Sequence, residues 1–158
     1  MAKEKNPMVT LRWLSCGHVD DGKSTLMGAL WYGMGAVPHD AVKRHDQSSD
    51  SPSSAQAQHG IDYAALLDGL DDEQAQGITI DVAWRFARYN GQYWILADTP
   101  GHHQYTRNMA VAASYSDGAL LVLDAQHGIR EQTRRHAAIL DFFAVPHRVV
   151  VINKMDLI

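Results

Sequence analysis

The sequence is short of the features that define several large protein classes. It has one cysteine, Cys16, so neither an intrachain disulfide nor a cysteine-based zinc site can form, which fits a reducing compartment. No run approaches the roughly 20 apolar residues of a membrane-spanning helix. The N-terminal stretch MAKEKNPMVTLRWL is charged early and lacks the apolar centre of a secretory signal. Positive charge is not in excess: 14 Lys and Arg against 18 Asp and Glu give a formal net charge of −4. That leaves no electrostatic footprint for wrapping nucleic acid or an anionic membrane. Nine histidines are present, yet only His102 and His103 are adjacent, and no carboxylate or cysteine stands beside them at ligand spacing. The expectation is a cytoplasmic protein with no membrane association, no direct nucleic-acid binding and no histidine-built metal site.

What the chain does have is enough apolar residue, 46% of 158, for one domain with a real core. Four short apolar runs read as buried strands: 9–16, 93–97, 119–123 and 148–152. Residues 80–88 alternate instead, with Ile80, Val82, Trp84 and Phe86 expected inward and Asp81 and Arg85 outward. Asn90-Gly91 follows, a pair suited to the positive φ angles of a two-residue hairpin turn. Residues 80–97 are therefore expected to form an antiparallel hairpin on an otherwise parallel sheet. Helical spacing is read over 24–31, 107–114 and 129–143, where Ile129, Thr133, His136, Ala137 and Leu140 share a face. The alternation of strands and helices predicts an α/β fold with helices on both faces of the sheet. RHDQSSDSPSSAQAQHG, residues 44–60, has almost nothing to bury and reads as a mobile segment.

Gly17-His18-Val19-Asp20-Asp21-Gly22-Lys23-Ser24 matches G-x-x-x-x-G-K-[ST] between a predicted strand and a predicted helix. Its glycines let the backbone curl so that successive N–H groups point at phosphate oxygens. Lys23 brings positive charge to the outer phosphates, and the Ser24 hydroxyl can ligate Mg²⁺. The helix that opens there, with Thr25 in its first turn, adds its positive dipole end. These features predict a P-loop NTPase fold.

Two further stretches select the nucleotide. Asp98-Thr99-Pro100-Gly101 puts a carboxylate at the carboxyl end of a strand, where open α/β sheets bind ligands. Asp98 can hold the Mg²⁺ shell, and the Gly101 N–H can meet a γ-phosphate. Asn153-Lys154-Met155-Asp156 closes the last strand. The Asp156 carboxylate can accept from two N–H groups of a guanine edge, a pair that adenine lacks, and the Lys154 stem can lie over the base. The three motifs in this order point to a GTP-binding GTPase.

GHVDDGKST, QGITID, DTPGH and NKMD together resemble the translation-factor class of GTPases. Within that class, IDYAALLDGL, QGITIDVAWR, DTPGHHQYTRNM and EQTRRH resemble the GTPase subunits of bacterial sulfate adenylyltransferase (ATP sulfurylase). That resemblance implies GTP and Mg²⁺ as cofactors, with Ser24, Thr79 and Asp98 around the metal. It implies His102 as the group that orients the attacking water, Val19 and Ile78 as the apolar pair gating it, and Asp20 as a contributor to a monovalent-cation site. It implies that residues 34–79 form a switch region, and that hydrolysis is coupled to a separate catalytic subunit making adenylyl sulfate from ATP and sulfate. The family continues past Asp156 into a further helix, a sixth strand, a final helix and β-barrel domains. The chain is thus expected to be a GTP-binding domain, 1–158, incomplete after NKMD and leaving Val149–Ile152 as an apolar edge. Two other readings stay open: a translation-factor GTPase working with tRNA or ribosomes, and a non-catalytic remnant that only docks on a partner.

Overall fold

The computed structural model describes residues 9–38, 61–67 and 79–158. The expected mobile segment at 44–60, most of the 34–79 region and Ile78 lie outside them. In chain order the elements are β1 (Thr10–Gly17), α1 (Lys23–Gly33), β2 (Ala83–Tyr89), β3 (Gln92–Asp98), a 3-10 turn (His103–Tyr105), α2 (Thr106–Ser114), β4 (Gly118–Asp124), α3 (Glu131–Phe142), β5 (His147–Asn153) and a last 3-10 turn (Met155–Leu157). The strands form one five-stranded sheet in the order β2-β3-β1-β4-β5. Every pairing is parallel except β2 with β3. Asn90 at φ 50° and Gly91 at φ 76° make the hairpin turn, as the Asn-Gly pair requires.

Both faces of the sheet are covered. On one, Leu14 and Cys16 of β1, Ala97 of β3 and Ala119 of β4 pack with Met109, Ala112 and Ala113 of α2 and Leu140 of α3. Small alanines let α2 lie close to the strands. On the other, Met27 and Trp31 of α1 meet Leu96 of β3, Ala87 of β2 and Leu66 and Leu67, with Trp13 of β1 packed alongside. The period-2 alternation of a strand explains why Trp13 and Leu14 serve opposite layers. Cys16 is fully buried, and burial pushes its thiol up to about 12, so it is chemically inert in the folded chain. No helix among the described residues is long and apolar enough to cross a membrane.

Three expectations need correction. Phe86 does not face inward: it is 67% exposed. Val82 and Trp84 do pack against the α2–α3 layer, but that layer stops short of the hairpin end. Arg85 is not simply outward; it donates to Leu67 O at 2.6 Å and lies over the Trp31 ring at 5.4 Å, in the α1 layer. Ile129 precedes α3 and is 61% exposed; the buried side of α3 is instead Gln132, Thr133, His136 and Leu140. The 148–152 run is the apolar edge expected above. Val149, Val150 and Ile152 are exposed on an edge strand whose one partner among the described residues is β4.

His136 is the one fully buried histidine among the described residues. Its Nδ1 accepts the Gly17 N–H at 3.0 Å, tying α3 to the end of β1. Burial, reinforced by the charges of Lys23, Arg135 and His18, pushes the imidazole down to about 4. Neutral His136 is therefore the folded form. Between about pH 4 and the unfolded value near 6.5 the unfolded chain binds the extra proton. Stability is present above that window and falls as pH drops through it, by up to about 3 kcal/mol at 1.36 kcal/mol per pKa unit. His136→Asn keeps an acceptor for Gly17 but cannot titrate. It starts less stable through lost packing, and denaturant midpoints measured from pH 7 to 4.5 should decline less steeply than in the wild type.

Candidate functional site

The stretch between β1 and α1 curls through backbone conformations that glycine favours. Gly17 has φ 145°, Asp20 62° and Gly22 88°. A Cβ on Gly17 would strike the Val122 carbonyl oxygen, and one on Gly22 the Asn153 side chain. No side chain caps the start of α1, so its first N–H groups are left for an anion. Thr25 is half-buried in that first turn. Lys23 is 6% exposed, and its Nζ donates to His18 O at 2.6 Å. Burial lowers its pKa, while Asp98 and Asp21 pull in the other direction. Asp21 is fully buried and accepts the His18 N–H at 2.9 Å.

Asp98 ends β3 directly opposite Ser15 of β1. Its carboxylate accepts from Ser15 Oγ at 2.6 Å and from Ser24 Oγ at 2.6 Å. Thr79 Oγ1 lies 3.3 Å from Ser24 Oγ. The expected trio Ser24, Thr79 and Asp98 is thus brought together as two hydroxyls and one carboxylate, all oxygen. That donor set fits Mg²⁺, a hard cation that keeps several waters and takes few protein ligands. Thr99 is buried and donates from Oγ1 to Ser15 O at 2.6 Å, fixing the turn through buried Pro100. Gly101 then packs onto the loop: a Cβ there would sit 2.7 Å from Val19 N and 2.8 Å from His18 C.

At the end of β5, Asn153 Nδ2 donates to Asp21 O at 2.9 Å. Lys154 adopts φ 58°, a left-handed conformation that a non-glycine residue rarely holds. Its Nζ reaches Asp124 Oδ2 at 2.9 Å. The Lys154 ammonium, chiefly, holds the Asp124 carboxyl well below the usual carboxylate range. Asp156 stands in the Met155–Leu157 turn and is exposed.

His102 begins the 3-10 turn after Gly101, its Nδ1 accepting from Gln104 N at 3.4 Å. Its ring lies 4.4 Å from that of His103. It opens on a cleft of about 500 Å³ walled by His18, Val19, Asp20 and Gly101 on one side and Glu131, Gln132 and Arg135 of α3 on the other. The Val19–Ile78 gate cannot be followed, since Ile78 lies outside the described residues.

Four contributors were not singled out from the sequence. Ser15 could have been, as the one polar side chain in the apolar WLSC run. His136 was read as a helix-face residue without its bond to Gly17. Asp124 closes β4 and Arg130 precedes α3, at the two ends of an ordinary strand-to-helix loop. The ion pair between Arg130 and Asp21 joins residues 109 positions apart, a separation that no local pattern reports.

Comparison with known proteins identifies the family. Residues 9–158 match the family described as the elongation factor Tu GTP binding domain. The sulfate adenylyltransferase subunit 1 of Cellvibrio japonicus is 48% identical over 153 residues, which is 94% of this chain and 31% of that protein. The bifunctional enzyme CysN/CysC of Rhodopirellula baltica is 46% identical over 155 residues, 98% of this chain and 24% of that protein. The chain thus spans roughly a quarter to a third of these relatives' length. Among solved structures, a bacterial selenocysteine-specific elongation factor, EF-Sec, aligns with a TM-score of 0.69 at 25% identity over 96% of this chain and 21% of that one. The elongation factor SelB of Methanococcus maripaludis, in complex with the GTP analogue GppNHp, shares the fold at a TM-score of 0.59 and 24% identity, over 96% of this chain and 23% of its own. The chain belongs to the elongation factor Tu GTP-binding domain family, and its sequence is similar to the first subunit of bacterial sulfate adenylyltransferases.

Proposed function

We propose that this domain binds GTP with Mg²⁺ and hydrolyses it to GDP and phosphate, in support of sulfate activation by a partner catalytic subunit in the cytoplasm. The observation that carries the reading is the meeting of Lys23, Ser24, Asp98 and Thr79 at the loop, with Asn153 tied to the same loop. Names of relatives, sulfate adenylyltransferase subunit 1 among them, support both the sulfate link and the existence of a partner subunit.

In this reading the loop amides of Gly17–Ser24 and the Lys23 ammonium bind the β- and γ-phosphates. Ser24, Thr79 and Asp98 hold Mg²⁺, which when bound neutralises charge on the phosphate oxygens. Hydrolysis is in-line attack of a water oxygen on the γ-phosphorus as the bond to the β–γ bridging oxygen breaks. The protein is asked for positioning and charge stabilisation rather than covalent chemistry. His102, at the mouth of its cleft, orients that water. The Gly101 N–H donates to the γ-phosphate, and the close fit of Gly101 against Val19 and His18 leaves no room for a larger residue. Asp156 reads the guanine edge, with Lys154 over the ring and Asn153 bracing it. Adenylyl sulfate and diphosphate form from ATP and sulfate on the partner, not on this chain.

Titration with fluorescent GTP and ATP analogues, with and without Mg²⁺, tests the binding step. Wild-type protein should prefer GTP by a factor on the order of 10⁴, the scale reached by sites built on matched polar groups, and Asp156→Asn should lose that preference. Equal affinity for both bases in the wild type would defeat the guanine assignment. For the chemical step, His102→Ala should slow turnover by about 10²-fold or more while leaving GTP affinity within about threefold; turnover at the wild-type rate would remove His102 from the mechanism. For the coupling, a sulfate adenylyltransferase catalytic subunit should stimulate hydrolysis. Stimulation by ribosomes alone would instead favour a translation factor.

A further inference from the structure

Asp21 presents a problem that the nucleotide-binding reading leaves open. Its side chain is wholly buried inside a loop meant for anions. One carboxylate oxygen accepts the His18 N–H at 2.9 Å, and its charge is near enough to the pocket's own lysine to favour the ammonium form of Lys23. Left alone, Asp21 would repel an incoming phosphate and compete with it for Lys23. The structure supplies a second cation. Arg130, at the start of α3, pairs through Nη2 with the other oxygen of Asp21, and the same nitrogen reaches Val19 O at 3.4 Å. Arg130 is itself held: its N–H donates to Thr133 Oγ1 at 3.3 Å, and its side chain is only 27% exposed. Its stem and fork therefore have little freedom to leave.

We propose that Arg130 is a positioning residue of the phosphate loop: by neutralising Asp21 and holding the Val19 carbonyl, it keeps the His18–Asp21 turn closed and leaves Lys23 free for the nucleotide phosphates. This rests on the GTP reading above, but the bracing of the loop exists before any nucleotide arrives. Because the effect is one of charge, it grows with the charge of the ligand. Removing Arg130 should harm GTP binding more than GDP binding, and removing the Asp21 charge as well should undo the harm.

The test compares wild type, Arg130→Ala and the double variant Asp21→Asn/Arg130→Ala by nucleotide titration and by amide hydrogen exchange of residues 17–24 in the free protein. Arg130→Ala should weaken GTP binding about tenfold and GDP binding about threefold, with faster exchange of the loop amides. The double variant should return both affinities to within about threefold of wild type and slow the exchange again. Should Arg130→Ala not fold, Arg130→Gln, uncharged but still able to donate to Val19 O, carries the same affinity expectations, with a smaller rise in loop exchange. Unchanged affinity and exchange, or an equal loss for GTP and GDP that Asp21→Asn does not restore, would overturn the proposal. If wild-type protein binds neither nucleotide, the GTP reading fails, while the exchange comparison among the three proteins still decides whether Arg130 orders the loop.

Discussion

A buried ammonium is the constraint from which the rest of the site is built. Lys23 is almost completely removed from water, and an isolated charge there would be very costly. It is tolerated because the His18 carbonyl accepts from it and two buried carboxylates, Asp98 and Asp21, lie near enough to favour its charged form. Each of those groups must in turn be fixed. Ser15 and Ser24 hold Asp98, and the His18 N–H and Arg130 hold Asp21. The loop is thus a polar network inside an apolar sandwich, in which each buried charge has at least one hydrogen-bond partner.

Topology explains why these groups meet. The sheet order β2-β3-β1-β4-β5 puts β1 in the middle, with the chain crossing to β3 on one side and to β4 on the other. Loops leaving adjacent parallel strands in opposite directions open a crevice at their carboxyl ends. Gly17, Asp98, Asp124 and Asn153 end β1, β3, β4 and β5, and Asp124 pairs with Asn153 across the ladder. All three sequence motifs therefore arrive at one rim although 55 residues separate Asp98 from Asn153 (153 minus 98).

Much of this was legible in the sequence because it is local. The four apolar runs became strands with ends shifted by a residue or so, and Asn90-Gly91 set the hairpin register through backbone conformation alone. The glycine-bracketed loop could be read because its residue types answer to phosphate geometry rather than to distant packing. Phe86 and Ile129 were misread for the opposite reason. An apolar residue is buried only if another layer reaches it, and how far α2 and α3 extend is a tertiary fact. The same holds for Arg130 with Asp21 and for His136 with Gly17. His136 is an ordinary helix residue, and Arg130 an ordinary residue ahead of a helix, until α3 is laid against the end of β1.

The bond from Asn153 Nδ2 to the Asp21 carbonyl joins two tasks that the sequence presents as separate. Phosphate grip and base choice lie at opposite ends of a nucleotide, so a site that does both must hold them at a set distance. Here β5, which leads into Asn153, Lys154 and Asp156, is bonded directly to the middle of the Gly17–Ser24 loop. Next to it Lys154 is locked in a left-handed conformation, its ammonium tethered to Asp124. A shift in β5 would move Asp21 with it, and through Asp21 would disturb the surroundings of Lys23. Because Arg130, just before α3, pairs with the same Asp21, the loop is clamped between the end of β5 and the start of α3.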